Sequence, residues 1–341
     1  MVYIEKLLKI RKTLADTVRV KLNIFQKNCL LINYLFEHYI YGVTLIEYDQ
    51  YEFYWKSRHE RRRYVCYREF EKIIKISNDK KDYKYFDNKP LFNKTFAEFL
   101  GRKWIDTTNC TLKNFKDFLK QNEKLFVKPV DGMCGRGAYI LYRSKIIDAN
   151  EMFEQLVSEQ AIVEQVVDQH QALAEFNSSS VNTLRIVTML CADDTVKIMA
   201  AVIRLGRIGQ VVDNFHNYGV VALIDIETGI IKTTGVDRDF NRFVVHPDSG
   251  KVIPGFLIPS WEKIVQVVER AAKIIPTVRY VGWDIAVGKN GEVIMIEGNK
   301  SADHDVTQVA DQVGKWPQYK EIINQLKGKK NEKNTRNWLS Y

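Results

Sequence analysis

The stretch YVGWDIAVGKNGEVIMIEGNKS, residues 280–301, constrains the fold more than any other part of the chain. Asn290-Gly291 stands between two alternating apolar runs. That pattern marks a β-hairpin and favours a two-residue type I′ loop. With such a loop Lys289 faces Glu292, and the numbers of every facing pair total 581. Asp284 then lies directly opposite Glu297, and Asn299, two residues farther on, shares their face. Facing carboxylates on neighbouring strands repel unless something compensates them. Oxygen-only ligands suit a hard divalent cation, so Asp284, Glu297 and Asn299 are expected to hold Mg²⁺ or Mn²⁺.

A second informative stretch lies well upstream. FVKPVDGMCGRGAYIL, residues 126–141, sets Gly132, Gly135 and Gly137 with Lys128 and Arg136 between two strand-like runs. Glycines let backbone N–H groups come close to a ligand. Lys128, placed just before Pro129, is biased toward extended backbone beside that loop. Exposed amides with cations suit a phosphate. Two familiar phosphate signatures are excluded: there is no GxxxxGK[ST], and GxGxxG breaks at Ile140.

The rest of the chain reads as helices first and strands later. Residues 1–86 are expected to be helical, as in LLKIRKTLADTVRVKL and YREFEKIIKI. Short helices follow in LFNKTFAEFLG and, behind Thr111 as cap, in TLKNFKDFLKQ. Beyond Asn182, NTLRIVTML and TVKIMAAVIRL read as a hairpin, and VVALIDI and IIKTTG as further strands. SWEKIVQVVERAAKII reads as a helix capped by Ser260 and stopped at Pro276. Separate runs of helices and mostly antiparallel strands give an α+β fold. The divisions expected are 1–86, 87–170, 171–314 and a basic tail, 315–341.

Charge narrows the partners. The net charge is +9. Residues 1–86 carry 18 Lys and Arg against 11 Asp and Glu, residues 315–341 carry 7 against 2, and the centre carries 26 against 29. The centre therefore lacks the basic footprint of a nucleic-acid domain, and no nucleic-acid partner is expected. The basic ends are expected to make, at most, weak contact with an anionic membrane surface. Cys29, Cys66, Cys110, Cys134 and Cys191 form no CxxC pair and fit a reducing compartment. The start, MVYIEKLLKI, has no uninterrupted apolar core. A cytoplasmic protein is expected.

Taken in order, FVKPVDGMCGRGAYIL, IVEQVVDQH, VNTLRIVT, IRLGRIGQVVDN, DIETG and VGWDIAVGKNGEVIMIEGN resemble the sugar-transfer-associated group of ATP-grasp enzymes. The resemblance covers roughly residues 85–310 and extends to the helical N-terminal region. It implies two α+β subdomains gripping ATP between antiparallel sheets. It also implies roles for residues. Lys89 and Lys128 meet the phosphates, and the loop holding Gly132, Gly135, Arg136 and Gly137 folds over them. Glu164, Gln165, Val166 and Val167 form the hinge beside adenine, with Asp168, His170 and Gln171 as the candidates near the ribose. Asp284, Glu297 and Asn299 hold the metal.

The implied reaction is ATP-dependent amide formation from an acid and an amine through an acyl phosphate, with sugar-linked small molecules as the expected substrates. Phosphoryl transfer to a hydroxyl by an ATP-grasp kinase is the alternative, and a non-catalytic ATP-binding scaffold is another. Arg185 and Arg204 are the further cations expected at the γ-phosphate or the substrate carboxylate, because guanidinium pairs bidentately with oxyanions. Asp213, Asn214, Asp303, His304 and Asp305 are weaker candidates for contact with the acceptor.

Overall fold

The computed structural model describes residues 2–18, 21–130, 137–209, 213 and 218–338. The chain forms two compact units, residues 1–76 with 303–341, and residues 77–302.

The first unit is helical. Its longest N-terminal elements are Val2–Thr17 and Ile24–Tyr41. Asn23 caps the second through a capping box with Gln26, and Gly42 ends it in the left-handed region. Inside this unit the buried Glu37 is paired with Arg61 at 3.0 Å and also with Arg62. Residues 316–338, where a basic tail is expected, form a helix. The reason is spacing: Tyr319, Ile322, Ile323 and Leu326 recur every three or four residues and are buried. Among the described residues no helix is long and apolar enough to cross a membrane.

The second unit contains two antiparallel sheets. The smaller is built from β1 (Trp104–Asp106), β2 (Lys124–Pro129), β3 (Tyr139–Tyr142) and β4 (Ala161–Gln165), in the order β1-β4-β2-β3. Its core comes from two helices, Leu112–Gln121 and Ala149–Ser158, which set Phe115, Phe118 and Leu156 against Leu125, Val127 and Val163. Thr111 caps the first of these helices, as its sequence predicts.

The larger sheet contains β5 (Thr183–Leu190), β6 (Val196–Leu205), β7 (Val220–Leu223), β8 (Gly235–Val236), β9 (Arg242–Phe243), β10 (Tyr280–Val287) and β11 (Val293–Asn299). Its order is β11-β10-β5-β6-β7-β8-β9. One face packs on the helices Lys89–Thr95 and Trp261–Ala271, burying Phe92, Phe96, Ile264 and Trp283. The other face carries Asp284. The fold is thus α+β, with a helical N-terminal region ahead of two sheet-bearing lobes.

Ser260 corrects its sequence reading. It precedes the helix Trp261–Ala271 but makes no capping bond. Its backbone is left-handed at φ 59°, and its hydroxyl instead donates to the Gly291 carbonyl at 2.8 Å, clasping the β10–β11 turn.

Candidate functional site

The β10–β11 hairpin brings the two acids together by a different route from the one expected. Its loop has three residues, not two. Gly288 N–H donates to the Glu292 carbonyl at 2.8 Å, and Gly291 takes φ 83°, a left-handed value that glycine reaches without strain. Near the turn, facing residues therefore total 580, as in Val287 with Val293 and Ile285 with Met295. A β-bulge at Ile296 then adds one residue to β11. Beyond it the total is 581, and Asp284 faces Glu297 directly while Gly282 faces Asn299. Without the bulge Glu297 would face Trp283, whose ring is buried in the apolar core on the opposite side of the sheet.

The bulge frees carbonyl groups, and Arg102 satisfies them. Its guanidinium donates to the carbonyls of Met295 and Ile296, the latter at 3.2 Å. It also reaches Glu164 on β4, with Nη2 at 2.8 Å from Oε1. Lys128 Nζ sits 2.8 Å from Glu164 Oε2. Burial alone would raise the pKa of Glu164. The charges of Lys128 and Arg102 outweigh burial and hold it down to about 2. Arg102 is the residue that sequence reasoning missed. RKW at 102–104 carries no motif, and its partners lie 62 and about 193 residues away.

A second acid–cation cluster lies on the floor of the large sheet. Arg185 on β5 faces Asp284, donating from Nε to Oδ1 and from Nη2 to Oδ2 at 3.1 Å. Arg204 on β6 adds Nη2, 2.7 Å from Oδ2 of Asp284, and also donates to Thr183 Oγ1. Asp213 accepts from the Thr183 backbone at 2.7 Å and lies 3.8 Å from Arg204 Nε. Burial raises the pKa of Asp213, against the pull of Arg204. Asp284 is desolvated too, but its two arginines keep it well below the ordinary carboxylate range.

Glu297 behaves differently. Its side chain keeps solvent access, yet the surrounding protein desolvates its carboxyl, and Asp284 adds like charge. Both effects raise its pKa, against Lys128, Arg185 and Arg204, which favour the ionised form. Among the described residues no hydrogen-bond partner holds it. Asn299 Oδ1 accepts from Ser301 N at 2.9 Å. The chemistry of this donor set fits a hard divalent cation. One carboxyl is unengaged and destabilised by its neighbour's charge, and the side-chain donors are all oxygens on one face. Both oxygens of Asp284 are engaged by the arginines.

The remaining sequence candidates are placed as follows. Lys89 Nζ donates to the carbonyls of Pro129 and Val130, at 2.9 and 2.7 Å, where β2 ends. Gly137 stands at the return of the glycine loop. Gly132, Gly135, Arg136 and Asn214 lie outside the described residues. Glu164 and Gln165 are committed to pairing of β4 with β2, so Val166 and Val167 are the first backbone to leave the small sheet. The chain then joins the large sheet, where His170 N–H donates to the Val287 carbonyl. His170 Nδ1 accepts from Ala172 N at 3.2 Å and so serves a helix start, while Asp168 stands exposed, 3.9 Å from Lys289. His304 and Asp305 have partners within the helical unit. His304 meets Glu47 at 2.9 Å and stacks on Phe70, and Asp305 accepts from Val306 N. Asp303 belongs to the same unit.

The model of the sugar-transfer associated ATP-grasp family matches residues 69–324. Among solved structures the chain is similar to the ATP-grasp ligase PsnB complexed with precursor peptide PsnA2 and AMPPNP, at 16% identity over 74% of this chain and 62% of that one, TM-score 0.47. It is similar to a biotin carboxylase from Campylobacter jejuni at 12% identity, over 73% of this chain and 48% of that one, TM-score 0.48. For the Chryseobacterium gregarium RiPP-associated ATP-grasp ligase, identity is 14% over 74% of this chain and 63% of that one, TM-score 0.46. The chain spans less than two thirds of the length of each of these structures. A search of curated proteins returned no match.

Proposed function

Because the chain belongs to the sugar-transfer associated ATP-grasp family, we propose that it is an ATP-dependent carboxylate–amine ligase acting on sugar-linked substrates in surface-polysaccharide assembly. The observation that carries the catalytic part is the bulged pairing of Asp284 with Glu297, beside Asn299 and ringed by Arg185, Arg204 and Lys128. The sugar-linked part rests on the family alone.

In this reading Asp284, Glu297 and Asn299 hold Mg²⁺ or Mn²⁺, which supplies neutralisation of charge on the phosphates when bound. Lys128 reaches the phosphates from the small sheet, held in place by its ion pair with Glu164. Lys89 fixes the end of β2, from which the glycine loop departs. Val166 and Val167 offer backbone groups to the adenine edge.

Arg185 and Arg204 orient the oxyanions of the two reactants, the γ-phosphate and the substrate carboxylate. Positioning and charge account for most of the catalysis of such transfers. A carboxylate oxygen attacks the γ-phosphorus and ADP leaves. The amine then attacks the acyl carbon, forming the C–N bond as phosphate and a proton depart. Asp213, fixed by Thr183, lies beside Arg204 at the edge where the acceptor would enter.

The test is phosphate release by purified protein, with ATP and Mg²⁺, against a panel of amino acids and uronic-acid nucleotides. A ligase releases phosphate only when acid and amine are both present, and mass spectrometry finds the amide. A phosphorylated product with a single substrate identifies a kinase instead.

A further inference from the structure

Asp284 is engaged on both oxygens by two guanidinium groups. Arg185 donates to Oδ1 and Oδ2, and Arg204 donates to Oδ2. A carboxylate offers about four lone-pair positions, so these three N–H groups leave little room for another ligand. A dication approaching Asp284 competes for the same oxygens and is repelled by both arginines. The wider surroundings do not offset that repulsion. Asp284, Glu297, Asp213 and Glu164 stand against Arg185, Arg204, Lys128 and Arg102, four acids to four cations.

A triphosphate changes the balance. Its oxygens are as good a partner for the guanidinium fork as a carboxylate is. When the arginines turn to it, Asp284 becomes available as a ligand.

The route of Arg185 has a steric condition of its own. Gly282 lies two residues before Asp284 on the same face of β10. A Cβ there would stand 2.9 Å from Arg185 Cδ and 2.3 Å from the Ala302 methyl. Any side chain at 282 therefore crowds both Ala302 and the stem of Arg185, and glycine leaves the path of Arg185 to Asp284 open.

We propose that Arg185 and Arg204 guard Asp284 against a bare divalent cation, so that metal and nucleotide load the site together, with Gly282 as the positioning residue that gives Arg185 its path. This inference rests on the metal reading given above. The test measures Mn²⁺ binding by paramagnetic resonance and calorimetry, with and without AMPPNP. The proteins are the wild type and the Arg185→Ala, Arg204→Ala, Gly282→Ala and Glu297→Gln variants.

Without nucleotide, Arg185→Ala and Arg204→Ala should each bind Mn²⁺ more tightly than the wild type, by about tenfold, because a cation beside the ligand is gone. AMPPNP should raise Mn²⁺ affinity strongly in the wild type and less in these variants. Gly282→Ala, where it folds, should move in the same direction as Arg185→Ala. Should both arginine variants bind bare Mn²⁺ no more tightly than wild type, the guard is refuted. Glu297→Gln separates the two readings. If Mn²⁺ affinity with AMPPNP is unchanged in that variant, the metal assignment falls and this inference with it. If affinity is lost there but the arginine variants show no gain, only the guard falls.

Discussion

Two carboxylates in the sheet-bearing unit are each held by two cations, yet they differ in what surrounds them. Glu164 lies between Lys128 and Arg102 and has no second acid facing it. The spare donors of Arg102 end on the carbonyls of Met295 and Ile296, so both oxygens of Glu164 and the guanidinium are engaged. Asp284 lies between Arg185 and Arg204 but faces Glu297, which among the described residues has no such partners. The first cluster is a strut that joins the small sheet to the bulge in β11. In the second, Glu297 is left without an ion pair among the described residues, which is why the proposed site is put there. Local pairing chemistry is alike in both, and a single unmatched carboxyl is the difference between them.

The comparison breaks first at Glu164. Glu164→Ala should cost about 3–5 kcal/mol of unfolding free energy, since it leaves two buried cations without their acid. Urea denaturation measures this, and a loss below about 1 kcal/mol, the range of a surface pair, would mean that no strut exists. The pH dependence follows from its lowered pKa. The folded protein binds this proton more weakly than the unfolded chain. Its stabilisation is therefore complete above 4.5, the ordinary value, and is lost as pH falls toward about 2. Acid titration of wild type against Glu164→Gln should show that window.

Glu297 should give the opposite pattern. Glu297→Gln is expected to lower Mg²⁺-dependent ATP turnover at least about 100-fold, or roughly 2.7 kcal/mol in the barrier. The fold should survive. Because the pKa of Glu297 is raised in the folded state, ionisation opposes folding as pH rises above the ordinary glutamate value. The glutamine variant should accordingly melt at the same temperature as wild type or slightly higher at neutral pH, with the difference vanishing in acid. A lower melting temperature would make Glu297 a structural acid like Glu164.

Lys128→Ala sharpens the division between the clusters, because Lys128 belongs to one and influences the other. AMPPNP affinity should fall about tenfold, the worth of one charge-assisted hydrogen bond. Full retention of affinity would confine Lys128 to the strut. The smallest effect is expected at the turn. Ser260→Ala removes the bond to the Gly291 carbonyl and should cost about 1 kcal/mol in thermal unfolding, with turnover unaffected.

The sequence carried the hairpin and its facing acids, but by compensating steps. Asn290-Gly291 signals a turn without fixing its length, and the three-residue loop shifts the register by one. The bulge at Ile296 shifts it back. No local pattern reveals that bulge, because what stabilises it is Arg102, almost 200 residues earlier in the chain. Thr111 as a cap was legible, since capping is a contact within one turn. Ser260 was not, since its partner is 31 residues away and its own backbone is left-handed. His304 shows the same limit. It follows β11 closely in sequence, yet its partners are Glu47 and Phe70.

The most direct test of the site is anomalous diffraction from crystals of the whole chain grown with Mn²⁺ and AMPPNP. The account predicts a manganese peak within coordinating distance of Asp284, Glu297 and Asn299, with a guanidinium of Arg185 or Arg204 turned to the phosphates. Manganese bound only elsewhere, with both arginines still closed on Asp284 beside a bound nucleotide, would contradict it.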